Sequence, residues 1–289
     1  RKEGTMTDGN NNKGRQTWVV FRLGHLGDVV LATGVLDYLA RKYGWDFIFV
    51  TRKAFTDVFE HNPHVRRVVA LGDDDLSFAA FRRICARLAR EYSGCGLMDL
   101  HGSLRSRLLA AMWKGPVARY RKMSLERRLF LMSGGRAFRP LLRAWSVTQR
   151  YLMAMEKNIP EPEALRPRIW LGDDETARAR QRLDSLFGQG ARPIALHPFA
   201  THRLKSWPEE HWRALAALLD TAEVPWFVLG RGEPLFPGSE RDLTNSTSLR
   251  ESCTLLSKSR VLVSGDSGPM HLASAVGTPV IALFGPTTR

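Results

Sequence analysis

Two series of short apolar runs constrain this chain more than any other feature. Each run ends in a polar or glycine turn and is followed by residues with helical spacing. The first series comprises Trp18–Arg22, Asp46–Val50, Val65–Leu71 and Gly96–Leu100, separated by Val29–Tyr43, Ala54–Glu60 and Ser77–Tyr92. The second comprises Pro193–His197, Trp226–Leu229, Val261–Ser264 and Pro279–Phe284, with helical segments over Asp173–Phe187 and Trp207–Thr221 and from Leu249 and Pro269. Strands that alternate with helices predict an α/β protein with parallel sheets and right-handed crossovers. Between the series lies Pro160-Glu-Pro-Glu-Ala-Leu-Arg-Pro167. Its prolines, and the residues before them, favour extended or turn backbone, so it reads as a linker. The expected halves are residues 17–163 and 168–289, with residues 1–16 a polar, disordered tail. Ligands in such sheets collect at the carboxyl ends of the strands, here in the cleft between halves.

The chain of 289 residues is 44% hydrophobic and 25% charged, as in an ordinary soluble protein. No apolar run approaches the roughly 20 residues that cross a bilayer, and no signal-peptide core precedes the first strand. Cys85, Cys95 and Cys253 have no metal or redox spacing, which fits a reducing cytoplasm. The sequence ends at Arg289, just after a strand and turn, where a parallel domain normally adds another helix; further C-terminal residues are expected.

The formal charge of +14 is uneven: His101–Arg150 carries +11 and the rest of the chain only +3. In that stretch Leu, Met, Trp and Phe interleave with the basic residues, as in Arg105–Lys114 and Glu126–Met132. This suits a basic amphipathic surface meeting anionic lipid or another polyanion, or solvated helix faces. No zinc-finger, RNP or helix-turn-helix pattern accompanies it, so nucleic acid is not the expected partner.

Four constellations could carry chemistry. In Ser264-Gly-Asp-Ser-Gly-Pro-Met-His271, Ser267 and Gly268 would begin a helix with Pro269 in its first turn, where the missing N–H costs nothing. The free amides at such a start bind anions, so a phosphorylated ligand is expected. Asp266 and His271 flank that start; His271 lies one turn in, as a donor to the ligand or a structural histidine. Gly285-Pro286-Thr287 ends the next strand at the same sheet edge.

Arg22-Leu-Gly-His-Leu-Gly-Asp-Val29 forms the second. Gly24 and Gly27 let the backbone turn tightly, and Asp28 opens a helix either as a dipole partner or as a general base facing the cleft. The G-x-x-G spacing is not the dinucleotide fingerprint, and the second strand ends in Arg52 rather than an acid, so a nicotinamide site is weakly supported. The third is His197–Pro208, where Thr201 and Lys205 suit phosphate oxygens, Arg203 is a phosphate ligand or a solvated charge, and Ser206 with Glu209 reads as a capping box. In the fourth, Leu229-Gly-Arg-Gly-Glu233, the carboxylate of Glu233 could accept ribose hydroxyls, or the segment is an ordinary turn. Nothing in the spacing of His, Cys and carboxylates requires a metal, and no cofactor is expected.

Together these residues resemble glycosyltransferase family 9, the ADP-heptose:lipopolysaccharide heptosyltransferases. The resemblance rests on Arg22–Val29, on Lys205-Ser-Trp-Pro-Glu-Glu-His-Trp212 and on Asp266–Pro279 with the Leu-Phe-Gly-Pro-Thr that follows, in order from Trp18 to Thr287. It implies a GT-B fold of two Rossmann-like parallel-sheet domains facing across a cleft, the first binding the acceptor and the second the nucleotide-sugar. It implies inverting, metal-independent transfer of a heptose from an ADP-sugar to the lipid A–Kdo core, by a peripheral protein on the cytoplasmic face of the inner membrane. Carried over, Asp28 is the catalytic base. Thr201 and Lys205 contact the diphosphate, and Asp266, Ser267, Gly268 and His271 form the helix-start donor site. Glu233 and Thr247 contact the nucleoside. Gly24, Gly27, Arg105 and Arg107 belong to the glycine loop and acceptor side, the anionic glycolipid being the reason for the basic region. The chain is expected to act as a monomer. Family members usually continue with a C-terminal helical segment returning toward the first domain. The competing readings are another sugar or acceptor on the same fold, an NADP-linked oxidoreductase, and a non-catalytic module holding lipid or nucleotide-sugar.

Overall fold

The computed structural model describes residues 16–200 and 206–284. The first half runs β1 (Thr17–Phe21), α1 (Leu26–Tyr43), β2 (Asp46–Arg52), β3 (Val65–Leu71), α2 (Phe78–Glu91), β4 (Gly96–Asp99), α3 (Leu104–Met112), β5 (Val117–Arg119), α4 (Ser124–Met132), α5 (Arg139–Arg143) and α6 (Val147–Leu152). Its five strands are ordered β3-β2-β1-β4-β5, and every pairing is parallel. The second half runs α7 (Asp173–Phe187), β6 (Ile194–His197), α8 (Glu209–Thr221), β7 (Trp226–Gly230), β8 (Asp242–Thr244), α9 (Leu249–Ser257), β9 (Val261–Gly265), α10 (Gly268–Ala275) and β10 (Val280–Leu283). This sheet is ordered β10-β9-β6-β7-β8, again all parallel.

Central strands are apolar on both faces because helices cover both sides of a parallel sheet. Val19, Val20 and Phe21 of β1 are fully buried, as are Ala195 and Leu196 of β6. Each sheet reverses its strand order at one place, between β1 and β4 in the first and between β6 and β9 in the second. Those switch points open crevices at the carboxyl ends of the strands. There the loops Arg22–His25 and Leu100–Ser103 leave one sheet, and His197–Ala200 and Asp266–Ser267 leave the other.

The expected strands are present within a residue or two of the bounds read from sequence, and α7 keeps the same bounds. Two elements were not expected: β5 and β8, each three residues long at a sheet edge. Neither has an apolar run, and each exists because a neighbouring strand offers a free backbone edge. The expected helix at Ala54–Glu60 is a 3₁₀ turn, Lys53–Phe59. The capping box is also corrected. α8 begins at Glu209 with Pro208 at its cap and no side-chain cap bond. Pro208 drives Trp207 out of the helical region, so Ser206 cannot sit one residue before a helix.

The proline-rich linker is not a free tether. Residues Pro162–Leu165 form a 3₁₀ turn, Leu165 is fully buried, and its carbonyl rests on α1 where a Cβ at Gly34 would overlap it. The Arg168 amide donates to Thr33 Oγ1 of α1 at 2.9 Å, and the Ile169 amide to the Ala275 carbonyl of α10 at 3.0 Å. α1 therefore packs against the strap, α6 and α10, and one apolar core runs through both halves from Val29 to Leu272. Among the described residues, no helix is long and apolar enough to cross a membrane. Cys85 and Cys253 are buried free thiols, and Cys95 is half-buried.

Candidate functional site

On the first wall, β1 delivers Arg22 into the crevice beside β4. Arg22 is buried; its Nη1 donates to the Leu100 carbonyl at 2.6 Å and its Nη2 pairs with Asp28 Oδ2. Asp28 stands in the first turn of α1, where a carboxylate meets the positive end of the helix. Its other oxygen, Oδ1, accepts from the Tyr151 hydroxyl of α6 at 3.2 Å. The Arg22 guanidinium also lies 5.4 Å from the centroid of the Tyr151 ring. Burial pushes the Tyr151 phenol far above its usual value, the Arg22 charge opposing and the Asp28 charge adding to the shift, so the hydroxyl remains a donor. A carboxylate has about four acceptor positions. Arg22 and Tyr151 take one on each oxygen, which orients the group and leaves room for a substrate hydroxyl. His101, just past β4, is pushed down to about 4 by burial and the Arg22 charge and stays neutral. Gly24 gives the loop its clearance: a Cβ there would come within 3.0 Å of Arg22 Nη2.

On the facing wall, β6 and β9 end at a hydroxyl cluster. His197 Nδ1 lies 3.2 Å from both Ser264 Oγ and Ser267 Oγ, which are themselves 3.1 Å apart. Burial pushes His197 down to about 4, so it is a neutral hydrogen-bonding group. Ser267 is the N-cap of α10, with Pro269 in the first turn as expected, yet its hydroxyl makes no cap bond. Its hydroxyl is held by His197 and Ser264 instead, so it does not compete with an anion for the first amides of α10. His271 follows one turn in. Burial lowers its pKa, opposed by the charges of Asp266 and Asp28.

The walls touch at α1 and α10. A Cβ on Gly27 would overlap Cδ2 of His271, and a Cβ on Gly268 would meet Leu26 Cδ2 at 3.2 Å. Glycines at these two positions let the helix starts approach each other, which brings Asp28 to the mouth of the loops that follow β6 and β9. Beside this contact lies a cavity of about 760 Å³, walled by His25–Gly27 and the Ala54–Asp57 turn on one side. The other wall is His197, Phe199, Leu229–Arg231, Thr247–Leu249, Ser252 and Ser267–Pro269. Gly230 has φ 135°, and a Cβ there would come within 2.6 Å of the Phe199 ring and 2.8 Å of His197. The glycines of Leu229–Glu233 thus admit an aromatic ring beneath the loop.

Thr247 and Ser252, whose hydroxyls are 2.9 Å apart, lie deep in this cavity, with Ser267 and Gly268 at its α10 end. Glu233 is exposed on the loop beyond Arg231 and is not part of the wall; nor is Asp266. Thr201 and Lys205 lie outside the described residues; Ala200, immediately before them, lines the cavity. A second cavity of about 270 Å³ opens on the first wall between Gly24, His25, Arg52, His101 and Arg105. Arg105 Nη2 donates to the Leu76 carbonyl at 3.0 Å. Arg107 is two residues on, about 200° around α3, and is exposed away from that cavity. Among the described residues, no three His, Cys, Asp or Glu side chains gather as metal ligands would.

Sequence reasoning missed Tyr151, His101 and the His197–Ser264–Ser267 cluster. Arg22 and His197 lie inside the motifs but had no assigned partner. Tyr151 carried no signal at all, being 123 residues from Asp28.

Two parallel five-stranded halves with their switch points on either side of one cavity define the GT-B architecture. The chain belongs to glycosyltransferase family 9 (heptosyltransferase), whose family model matches residues 85–289. It is 33% identical over 165 residues to lipooligosaccharide heptosyltransferase 2 of Haemophilus influenzae, covering 49% of this chain and 47% of that protein. It is 28% identical over 281 residues to lipopolysaccharide heptosyltransferase 1 of Pseudomonas aeruginosa, covering 91% and 76%. The fold is similar to that of E. coli heptosyltransferase WaaC with ADP-2-deoxy-2-fluoro heptose, with a TM-score of 0.67 at 20% identity over 95% of this chain and 90% of that one.

Proposed function

We propose that the chain transfers a heptose, with inversion, from an ADP-sugar to the anionic inner core of lipopolysaccharide, lipid A–Kdo, at the cytoplasmic face of the inner membrane. The observation that carries this reading is the contact of Gly27 with His271. It sets Asp28, held by Arg22 and Tyr151, beside the helix start that would receive the diphosphate.

In the proposed step the acceptor hydroxyl lies against Asp28, which takes its proton as the oxygen attacks the anomeric carbon. The bond from that carbon to the diphosphate breaks as the new glycosidic bond forms, and ADP departs. Negative charge builds on the leaving diphosphate. The α10 amides, Ser267 and His271 face that charge, with Thr201 and Lys205 assigned to the same oxygens. Displacement on the face opposite the leaving group gives inversion. The nucleoside is assigned to the 760 Å³ cavity near Phe199 and Thr247. Glu233 and Asp266, which do not line that cavity, are assigned contacts to parts of the donor that extend beyond it. The anionic acceptor is assigned to the first wall, where Arg52 and Arg105 border the smaller cavity. Arg107 supplies charge around it.

The test is turnover of ADP-heptose on a heptose-deficient core glycolipid, with ADP and NADPH titrated in parallel. Transfer together with ADP binding supports the reading. ADP binding without transfer on any core acceptor leaves a non-catalytic module, and NADPH binding in place of ADP removes the reading altogether.

A further inference from the structure

The first domain carries an apolar surface that its own core does not use. Leu125, Leu131 and Met132 of α4 are 66%, 75% and 77% exposed, and Phe138 at the N-cap of α5, Leu141 on it and Trp145 just past its end are also exposed. On α4 the burial is inverted. At 100° per residue, Leu125, Arg128 and Met132 share one face with Leu131 at its border, and all are exposed. The opposite face holds Phe130, which is buried, and Glu126, which is half-buried. A soluble helix normally turns its apolar stripe inward; this one buries the Phe130 ring, half-buries Leu129 and presents Leu125, Leu131 and Met132 to the outside. Gly134 and Gly135, with φ of 63° and 83°, then turn the chain sharply into α5.

Charge identifies what covers this face. Lys122, Arg128, Arg136 and Arg139 are exposed around it and have no carboxylate partner among the described residues. Glu126, the sole acid between His101 and Arg150, is already paired with Arg121 at 2.8 Å. A second copy of the chain set face to face would oppose the same arginines. A nucleic acid would leave the leucines and methionine without apolar partners. An anionic bilayer surface satisfies both: acyl chains receive the apolar side chains while headgroups receive the basic ones.

We propose that α4, α5 and the glycine turn between them form an interfacial wedge, inserting Leu125, Leu131, Met132 and Phe138 below the headgroups of an anionic phospholipid bilayer. The wedge is coupled to the site. Tyr120, just past β5, is buried against Tyr151 with ring centroids 5.0 Å apart, and Tyr151 donates to Asp28. The docked face therefore leaves the sheet at the same carboxyl edge that holds the catalytic carboxylate. The binding claim stands on the surface alone; its use in capturing a membrane-held acceptor rests on the transfer reading.

The test is flotation of the full chain with phosphatidylcholine vesicles, with and without phosphatidylglycerol. The chain is expected to float only with the anionic vesicles. Leu131→Ser with Met132→Ser is expected to lower the partition coefficient about tenfold, and Arg128→Gln with Arg136→Gln roughly 30-fold, at about 1 kcal/mol per basic residue. These side chains are exposed, so both variants should keep the ADP affinity of the parent, which checks that they fold. Equal flotation of parent and both variants overturns the wedge. So does absence of flotation on anionic vesicles, including the case in which light scattering shows dimers that the serine variant dissolves. Because no donor or acceptor is present, vesicle binding with failed heptose transfer would remove the reaction and leave the wedge standing.

Discussion

Gly27 of the first domain lies directly against the imidazole of His271 in the second. A Cβ at position 27 would overlap Cδ2 and come within 3.0 Å of Nε2. The contact joins the two helix starts that bear the candidate base and the candidate diphosphate site, and it requires a residue without a side chain. Gly27→Ala removes no hydrogen bond and improves helix propensity, but overpacking against the His271 ring costs more, about 1–3 kcal/mol, so the melting temperature should fall. The helices must also move apart, and transfer should drop about 100-fold, the scale set by an ångström of misplacement. Calorimetry beside steady-state kinetics reads both; unimpaired turnover would mean that the contact is incidental.

Asp28→Asn keeps the size of the side chain and removes the proposed base. Transfer should fall about 1,000-fold or more, within the span of general-base contributions. ADP affinity by fluorescence titration should stay within about twofold of the parent, because the carboxylate is assigned no part in donor binding. Strong residual turnover would take Asp28 out of this role.

Tyr151→Phe tests how Asp28 is held. It deletes one hydrogen bond to Oδ1 and leaves the ring packed on Tyr120. The expected result is a fall in kcat of about tenfold, from the loss of a bond to a charged group worth roughly 1.5–3 kcal/mol. The KM for the ADP-sugar should be unchanged, and the acid limb of the pH–rate profile should move. A purely structural tyrosine would leave that profile in place.

Acid should destabilise the fold before its carboxylates titrate. His197 is 5% exposed and is held at about 4 in the folded state against 6.5 in the free side chain. Below pH 6.5 the unfolded chain takes up a proton that the native state refuses. Stability from this residue is therefore complete above pH 6.5 and is lost as pH falls toward 4, about 3 kcal/mol across the window at 1.36 kcal/mol per unit. His101 and His271 are shifted in the same direction. Urea midpoints at pH 7 and pH 5 should show the loss, and His197→Asn should reduce it by the share of that residue, leaving what His101 and His271 contribute.

Arg250 of α9 ties the second domain to both the strap and the first domain. Its Nη2 donates to the Trp170 carbonyl at 2.9 Å, its Nε to Glu175 Oε2 at 3.1 Å, and its Nη1 to the Asp57 carbonyl at 3.3 Å. Arg250→Ala leaves the half-buried Glu175 with only its bond from the Gly172 amide and should cost about 1.5–3 kcal/mol by urea denaturation, the scale of a lost hydrogen bond to a charged group. Arg250→Lys should recover only part, since one ammonium cannot span three directions. Full stability in the alanine variant would show that the junction carries no load.

Much of the fold was legible because the main strands are doubly buried. Such strands need continuous apolar runs, as in Val19–Phe21 and Ala195–Leu196, and the runs appear in the letters of the chain. β5 and β8 were not legible: Val117–Arg119 and Asp242–Thr244 become strands only because β4 and β7 offer unpaired edges. Ser206 and Glu209 have the spacing of a capping box, but Pro208 between them moves the start of α8 to Glu209. The same contrast applies to the site. Gly27, Asp28, Ser267 and His271 stand in motifs whose turn and helix-start chemistry can be read locally. Tyr151, the His197–Ser264–Ser267 cluster and the exposed position of Glu233 depend on chain crossings that no local pattern encodes.

By itself the sequence determined two parallel α/β halves, the glycine-bounded helix starts and the uneven basic charge, because burial, backbone freedom and charge are properties of short stretches. Tertiary structure alone decided that the proline strap is buried on α1 and that Arg22 and Tyr151 share one carboxylate. It also decided that α1 and α10 approach until only glycine fits between them. Those outcomes depend on segments far apart in the chain filling the same space, and that is a property of packing.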